Sequence, residues 1–161
     1  MSAVCSRATR QAYAGLVDHD YVERVIAHWY GHDRLLAEFA PSPGWFGFTV
    51  AEIEEAVAGV AGTGRGPEVG TCELYTLYVD PAHQRRGAGR TLVAHAVEQA
   101  REAGASRVQV AVMPGNVGAI AFYEACGFEY AGERPIYAPH GAEGGPGVAL
   151  VFERGIQKFE I

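Results

Sequence analysis

The chain has 161 residues, 48% of them hydrophobic and 20% charged. A chain of that size buries roughly 70% of its unfolded surface, so one core closes without disulfide or metal staples, and a single domain spanning residues 1–161 is expected. Thirteen Lys and Arg against nineteen Asp and Glu give a net charge of -6, the wrong sign for gripping nucleic acid. Cys5, Cys72 and Cys126 are scattered, with no CxxC or Cys/His pairing, which argues against a disulfide frame or zinc site. No stretch approaches the roughly 20 apolar residues of a membrane span, and the N-terminus lacks the charged-then-apolar order of a secretory signal. A cytoplasmic protein with no membrane partner is expected.

In chain order, Val4 to Thr9 is read as a short first strand. Val22, Val25, Ile26 and Trp29 then follow the spacing of one buried helix face. Gly31 interrupts the stripe, Leu35, Leu36 and Phe39 resume it, and Pro41-Ser42-Pro43-Gly44 ends it. His28 and His32 stand four apart here, but no third ligand motif accompanies them, so no metal is expected. Strands follow at Trp45 to Ala51, Val57 to Gly62 and Glu73 to Val79, pairing antiparallel, with Gly62 to Pro67 as a loop. Leu92, Val93, Ala96, Val97 and Ala100 mark a helix that Gly104 stops. A strand at Arg107 to Val112 leads to a helix opened by Asn116 and closed by Gly127-Phe128. Two last strands lie near Phe128 to Tyr137 and Val148 to Arg154, separated by the glycine-rich stretch from Pro139 to Gly147. This order argues for an α+β fold, a mixed, mostly antiparallel sheet flanked by helices.

The densest chemical signal is Val79-Asp80-Pro81-Ala82-His83-Gln84-Arg85-Arg86-Gly87-Ala88-Gly89-Arg90. A helix start carries partial positive charge and unpaired N–H groups, so arginines there call for an anion. Gly87 and Gly89 let the backbone approach a phosphate without Cβ atoms in the way. The corner lacks the Gly-Lys-Ser/Thr end of a Walker loop, and Leu92 stands where a dinucleotide fingerprint wants a small residue.

Here the chain resembles the GNAT superfamily of acetyl-coenzyme A dependent N-acetyltransferases. Gln84-Arg85-Arg86-Gly87-Ala88-Gly89 matches the Q/R-x-x-G-x-G/A signature. Asn116, Ala119, Ile120, Phe122, Tyr123, Glu124, Gly127 and Phe128 match the second motif, and together the two cover the second half of the chain. The resemblance implies the GNAT fold and acetyl-coenzyme A as cosubstrate, held by Leu77, Tyr78 and Val79, by Arg85, Arg86, Gly87, Ala88, Gly89 and Arg90, and by Asn116. The splayed strands of that fold leave a gap that the pantetheine arm fills like an extra strand.

The resemblance also implies Tyr123 as the acid that protonates the departing thiolate. Glu73 is the candidate base, since many relatives carry a glutamate there; others place it on the next strand, where this chain has Ala111. Asn116 also reads as a helix cap, and Tyr123 as a core aromatic. Trp29, Tyr30, Trp45, Phe46 and Tyr137 are expected to line the amine pocket. The acidic chain suits a cationic small molecule such as an aminoglycoside or polyamine. Arg134, Tyr137 and Pro139 instead resemble the late hairpin of protein N-terminal acetyltransferases, and a lysine acetyltransferase is a related alternative. A non-catalytic acyl-coenzyme A binding module is the alternative from another class, and a homodimer is compatible with the family.

Overall fold

The computed structural model describes residues 1–137 and 144–157. Val4, Cys5, Ala8 and Thr9 are all buried, and that spacing is one face of a helix. Helix α1 (Ser2–Tyr13) therefore stands where a strand was expected. The short window conceals its period; the stripe is recognisable only once packing shows which residues are covered. α2 (His19–Trp29) and α3 (His32–Ala37) follow, separated at Gly31. Of the resumed stripe only Leu35 turns inward, while Leu36 and Phe39 face solvent.

Six strands make one sheet: β1 (Trp45–Ile53), β2 (Ala56–Arg65), β3 (Thr71–Val79), β4 (Arg107–Val112), β5 (Glu129–Pro135) and β6 (Val148–Gly155). Their order across the sheet is β1-β2-β3-β4-β6-β5. All neighbours are antiparallel except β3 and β4. β2 runs three residues past its expected end, so Gly62 and Gly64 lie in a strand rather than a loop. A Cβ on Gly62 would stand 2.6 Å from the Trp45 ring and 2.9 Å from the Phe48 ring. Glycine at these positions lets two aromatic rings cross the strand, a packing reason that composition alone reads as a loop.

Helix α4 (Ala88–Glu102) covers one face through Leu92, Val93, Ala96, Val97 and Ala100, together with α5 (Val117–Ala125). On the other face Val4 and Cys5 of α1, and Val22 and Ile26 of α2, pack against Val60 of β2. Gly127 at φ +83° ends α5, with the Phe128 N–H donating to the Tyr123 carbonyl at 3.0 Å, the 6→1 bond of a Schellman stop.

Candidate active site

β3 and β4 pair only from Thr71–Arg107 to Glu73–Gln109. Beyond that point the two strands part. Asp80 N–H donates to the Ala58 carbonyl at 2.8 Å, so by antiparallel alternation Tyr78 is the next residue bonded to β2. The main-chain groups of Leu77 and Val79 then face the other edge, toward the parting. Tyr78, grouped with them in the sequence reading, is different: its main chain is used by β2, and its ring packs edge-on to Tyr30 at 5.3 Å.

The glycine corner lies at the end of this edge. Asp80 caps a 3₁₀ turn (Pro81–His83), accepting from Ala82 N–H at 3.0 Å, and it is ion-paired to Arg7 of α1. That pair and the Ala82 N–H hold the Asp80 carboxyl below the ordinary carboxylate range. Arg85 adopts φ +62° and Gly87 φ +90°, and the first corner bond returned to the backbone is Thr91 N–H to the Gly87 carbonyl. Among the described residues, the N–H groups of residues 85–90 donate to no backbone carbonyl. Consecutive unpaired N–H groups at a left-handed turn form an anion-binding concavity.

The anion expected at this corner is in part supplied from within: Arg86 turns away and pairs with Glu54 at 2.8 Å. Arg85 and Arg90 line the cleft, and among the described residues neither has an ion-pair partner. Gly87 opens onto free space, nothing lying within 4 Å of an added Cβ, whereas at Gly89 that atom would meet Phe122 at 3.1 Å. Gly87 therefore fits a cradle for phosphate, and Gly89 also serves the packing of α5 on α4.

The cleft, about 1360 Å³, runs from this corner along the parted strands and under α1 and α2. Asn116 and Tyr123 both line it. Asn116 Oδ1 accepts from Ala119 N–H at 3.1 Å, which commits the oxygen to capping α5 and leaves the amide Nδ2 for a ligand. Tyr123 is 9% exposed, and burial pushes its phenol above the ordinary tyrosine range. The cap and core-aromatic readings of these residues therefore coexist with positions on the cleft wall.

Trp29, Tyr30, Trp45 and Tyr137 also line the cleft, but Phe46 does not; it packs on the α4 side of the sheet. Phe48 and Tyr75 line it instead. Alternation from Trp45 already puts Phe46 on the opposite face, but it misplaces Phe48 and Tyr75 because each strand carries a bulge: two β1 residues, Phe46 and Gly47, oppose Thr63, and Tyr75 is the extra residue of β3. Such a bulge changes which face the following residues occupy. Gly47, at φ +86°, was the signal available in the sequence.

Glu73 is neither in an open cleft nor at an exposed strand end. It is 1% exposed, accepts from Gln109 Nε2 at 3.1 Å, and has both carboxylate oxygens engaged by Arg134 of β5. Among the described residues, no group of three or more His, Cys, Asp or Glu could hold a metal ion, and no helix is long and apolar enough to cross a membrane. The stretch from Pro139 to Gly147 lies mostly outside the described residues.

A family model described as the acetyltransferase (GNAT) family matches residues 8–128. The ribosomal protein bS18-alanine N-acetyltransferase of Escherichia coli is 38% identical over 66 residues, 41% of this chain and 45% of that protein. A mycothiol acetyltransferase of Nocardioides is 36% identical over 113 residues, 68% of this chain and 37% of that protein. Each match thus spans less than half of the relative. Among solved structures, the PaiA N-acetyltransferase of Thermoplasma acidophilum in complex with coenzyme A aligns with a TM-score of 0.77 at 21% identity, covering 96% of this chain and 89% of that one. At that identity the likeness is one of fold.

Proposed function

Since the chain belongs to the acetyltransferase (GNAT) family, we propose that it transfers an acetyl group from acetyl-coenzyme A to a primary amine by direct attack. The observation that carries this reading is the end of β3–β4 pairing at Glu73–Gln109, which leaves an unbonded strand edge leading to an arc of unpaired N–H groups. The bound cosubstrate supplies a thioester carbonyl and a thiolate leaving group. The N–H groups of residues 85–90, with the Arg85 and Arg90 guanidiniums, hold its diphosphate. Leu77 and Val79 offer main-chain groups to the pantetheine amides, and the Asn116 Nδ2 stands at the same wall.

The Leu77 N–H, farther along this edge from the corner that holds the diphosphate, meets the charge growing on the carbonyl oxygen as the amine nitrogen bonds to the carbonyl carbon. As the C–S bond breaks, Tyr123 gives its proton to the sulfur, while the amine loses its own proton to water in the cleft. Glu73 is not the base in this scheme. Both its oxygens are already held, and it does not line the cleft.

The cleft lining also bears on the acceptor. Among the described residues its single carboxylate is Glu38, paired with Arg34 at 3.0 Å. A polyamine or aminoglycoside, with several ammonium groups, needs several free carboxylates. Trp29, Trp45, Phe48, Tyr75 and Tyr137 suit an acceptor whose only charge is the reacting amine and whose body is apolar or aromatic; a peptide N-terminus shares that single charge. The test is thiol release from acetyl-coenzyme A with a panel of aromatic monoamines, peptides and polyamines. Monoamines or peptides are expected to exceed spermidine in kcat/KM by about tenfold or more, the difference of a single well-placed interaction. Cosubstrate binding without accelerated release by any amine would leave the non-catalytic module instead.

A further inference from the structure

Glu73 and Arg134 form a buried pair with its own line of contacts into the cleft wall. Arg134, with its side chain 15% exposed, forks onto both carboxylate oxygens, one bond measuring 2.9 Å. Its guanidinium carbon stands 4.3 Å from the centre of the Tyr137 ring. Tyr137 lies 6.4 Å from Tyr75, and Tyr75 lies 6.2 Å from Trp45, whose Nε1 donates to the Glu38 carbonyl at 2.7 Å. The three rings line the cleft, whereas Glu73 and Arg134 stand behind them.

Two physical points assign Glu73 a part other than proton abstraction. Protonating it would undo charge-assisted bonds to Arg134 and leave a buried guanidinium without its counter-charge. Tyr137 also needs an external tie. It lies beyond the end of β5, an edge strand separated from β3 by β4 and β6, and among the described residues the nearest backbone bond is a long one, Ile136 N–H to Gly147 at 3.4 Å. Stacking on a guanidinium that is fixed from β3 supplies that tie.

We propose that Glu73 is a positioning residue which, through Arg134, sets the Tyr137 ring against Tyr75 and so fixes the outer wall of the acceptor pocket. This rests on the transfer reading above and deepens it: Glu73 governs acceptor binding, not the chemical step.

The experiment is steady-state kinetics with acetyl-coenzyme A and 2-phenylethylamine for Glu73→Gln, Tyr137→Ala and their combination, beside a crystal structure of Glu73→Gln. Because that variant leaves Arg134 uncompensated, E73Q/R134M, which removes both charges, is made as well. The expected result is an acceptor KM raised about tenfold, kcat within about threefold, and an unchanged KM for acetyl-coenzyme A, the pattern of lost uniform binding. The combination with Tyr137→Ala is expected to be no worse than either single change. A kcat loss of about a hundredfold with the acceptor KM unchanged would make Glu73 the base and overturn the proposal. The crystal structure is read without turnover. Tyr137 displaced from Tyr75 supports the tie, and Tyr137 unmoved overturns it even where acetyl transfer itself stands.

Discussion

Gln109 is the last β4 residue in register with β3, and its side chain donates to the carboxylate of its register partner, Glu73, at 3.1 Å. The strands part directly beyond this pair. The same two residues thus close the sheet on one side and mark the start of the cleft on the other.

The arginines of the corner are expected to differ in kind. Arg86→Gln leaves the backbone N–H in place and removes a guanidinium already paired with Glu54, so acetyl-coenzyme A affinity should change by less than about twofold, as for exposed ion pairs. Arg85→Gln and Arg90→Gln remove cleft-lining cations and should weaken binding by about tenfold each at low salt, the loss shrinking as salt is added. Calorimetric titration at two ionic strengths checks both.

Tyr123→Phe removes the proton donor and keeps the ring packing against Phe122 and Phe128, at 5.3 and 5.5 Å. The expected outcome is a kcat lowered by about a hundredfold with cosubstrate affinity unchanged. Burial raises the Tyr123 pKa, so its protonated form persists as pH rises past the usual tyrosine value of about 10. Below that pH, kcat should show no basic limb due to this residue. Full turnover in the phenylalanine variant would remove Tyr123 from the chemistry.

Asp80 links the corner to α1, and its folded pKa is depressed by Arg7 first and the Ala82 N–H second. A depressed carboxyl contributes stability that is complete above its unfolded value, about 3.9, and is lost as pH falls through the folded value. Asp80→Asn keeps an oxygen for the Ala82 N–H but removes the charge paired with Arg7, which is 54% exposed, and should therefore lower stability at pH 7 by no more than about 1 kcal/mol. Denaturation between pH 3 and 7 should show that difference closing below about pH 4.

The two corner glycines should also separate. Gly87→Ala meets no neighbour but forces φ +90° on a side chain, at a cost of about 1–2 kcal/mol; weaker cosubstrate binding should accompany it. Gly89→Ala pushes on Phe122, at 3.1 Å, and so should disturb the packing beside Tyr123. Melting temperature and acetyl-coenzyme A affinity measured together distinguish the two.

Local chemistry made much of this protein legible. Helix α4, strand β4 and the capped helix α5 follow from apolar period, Asn116 and Gly127, and the corner from glycines and arginines crowded at a helix start, because each of these signals acts within a few residues. The faces of Phe48 and Tyr75, the glycines of β2, and the helical state of residues 4–9 depend on bulges and on burial that other parts of the chain supply. The fate of Glu73 depends on them most. Its strand position was readable, but whether a carboxylate there meets solvent, substrate or a guanidinium is decided by Arg134, 61 residues away in sequence, and that pairing exists only once the sheet has formed and the Arg134 side chain reaches Glu73 across the intervening β4 and β6.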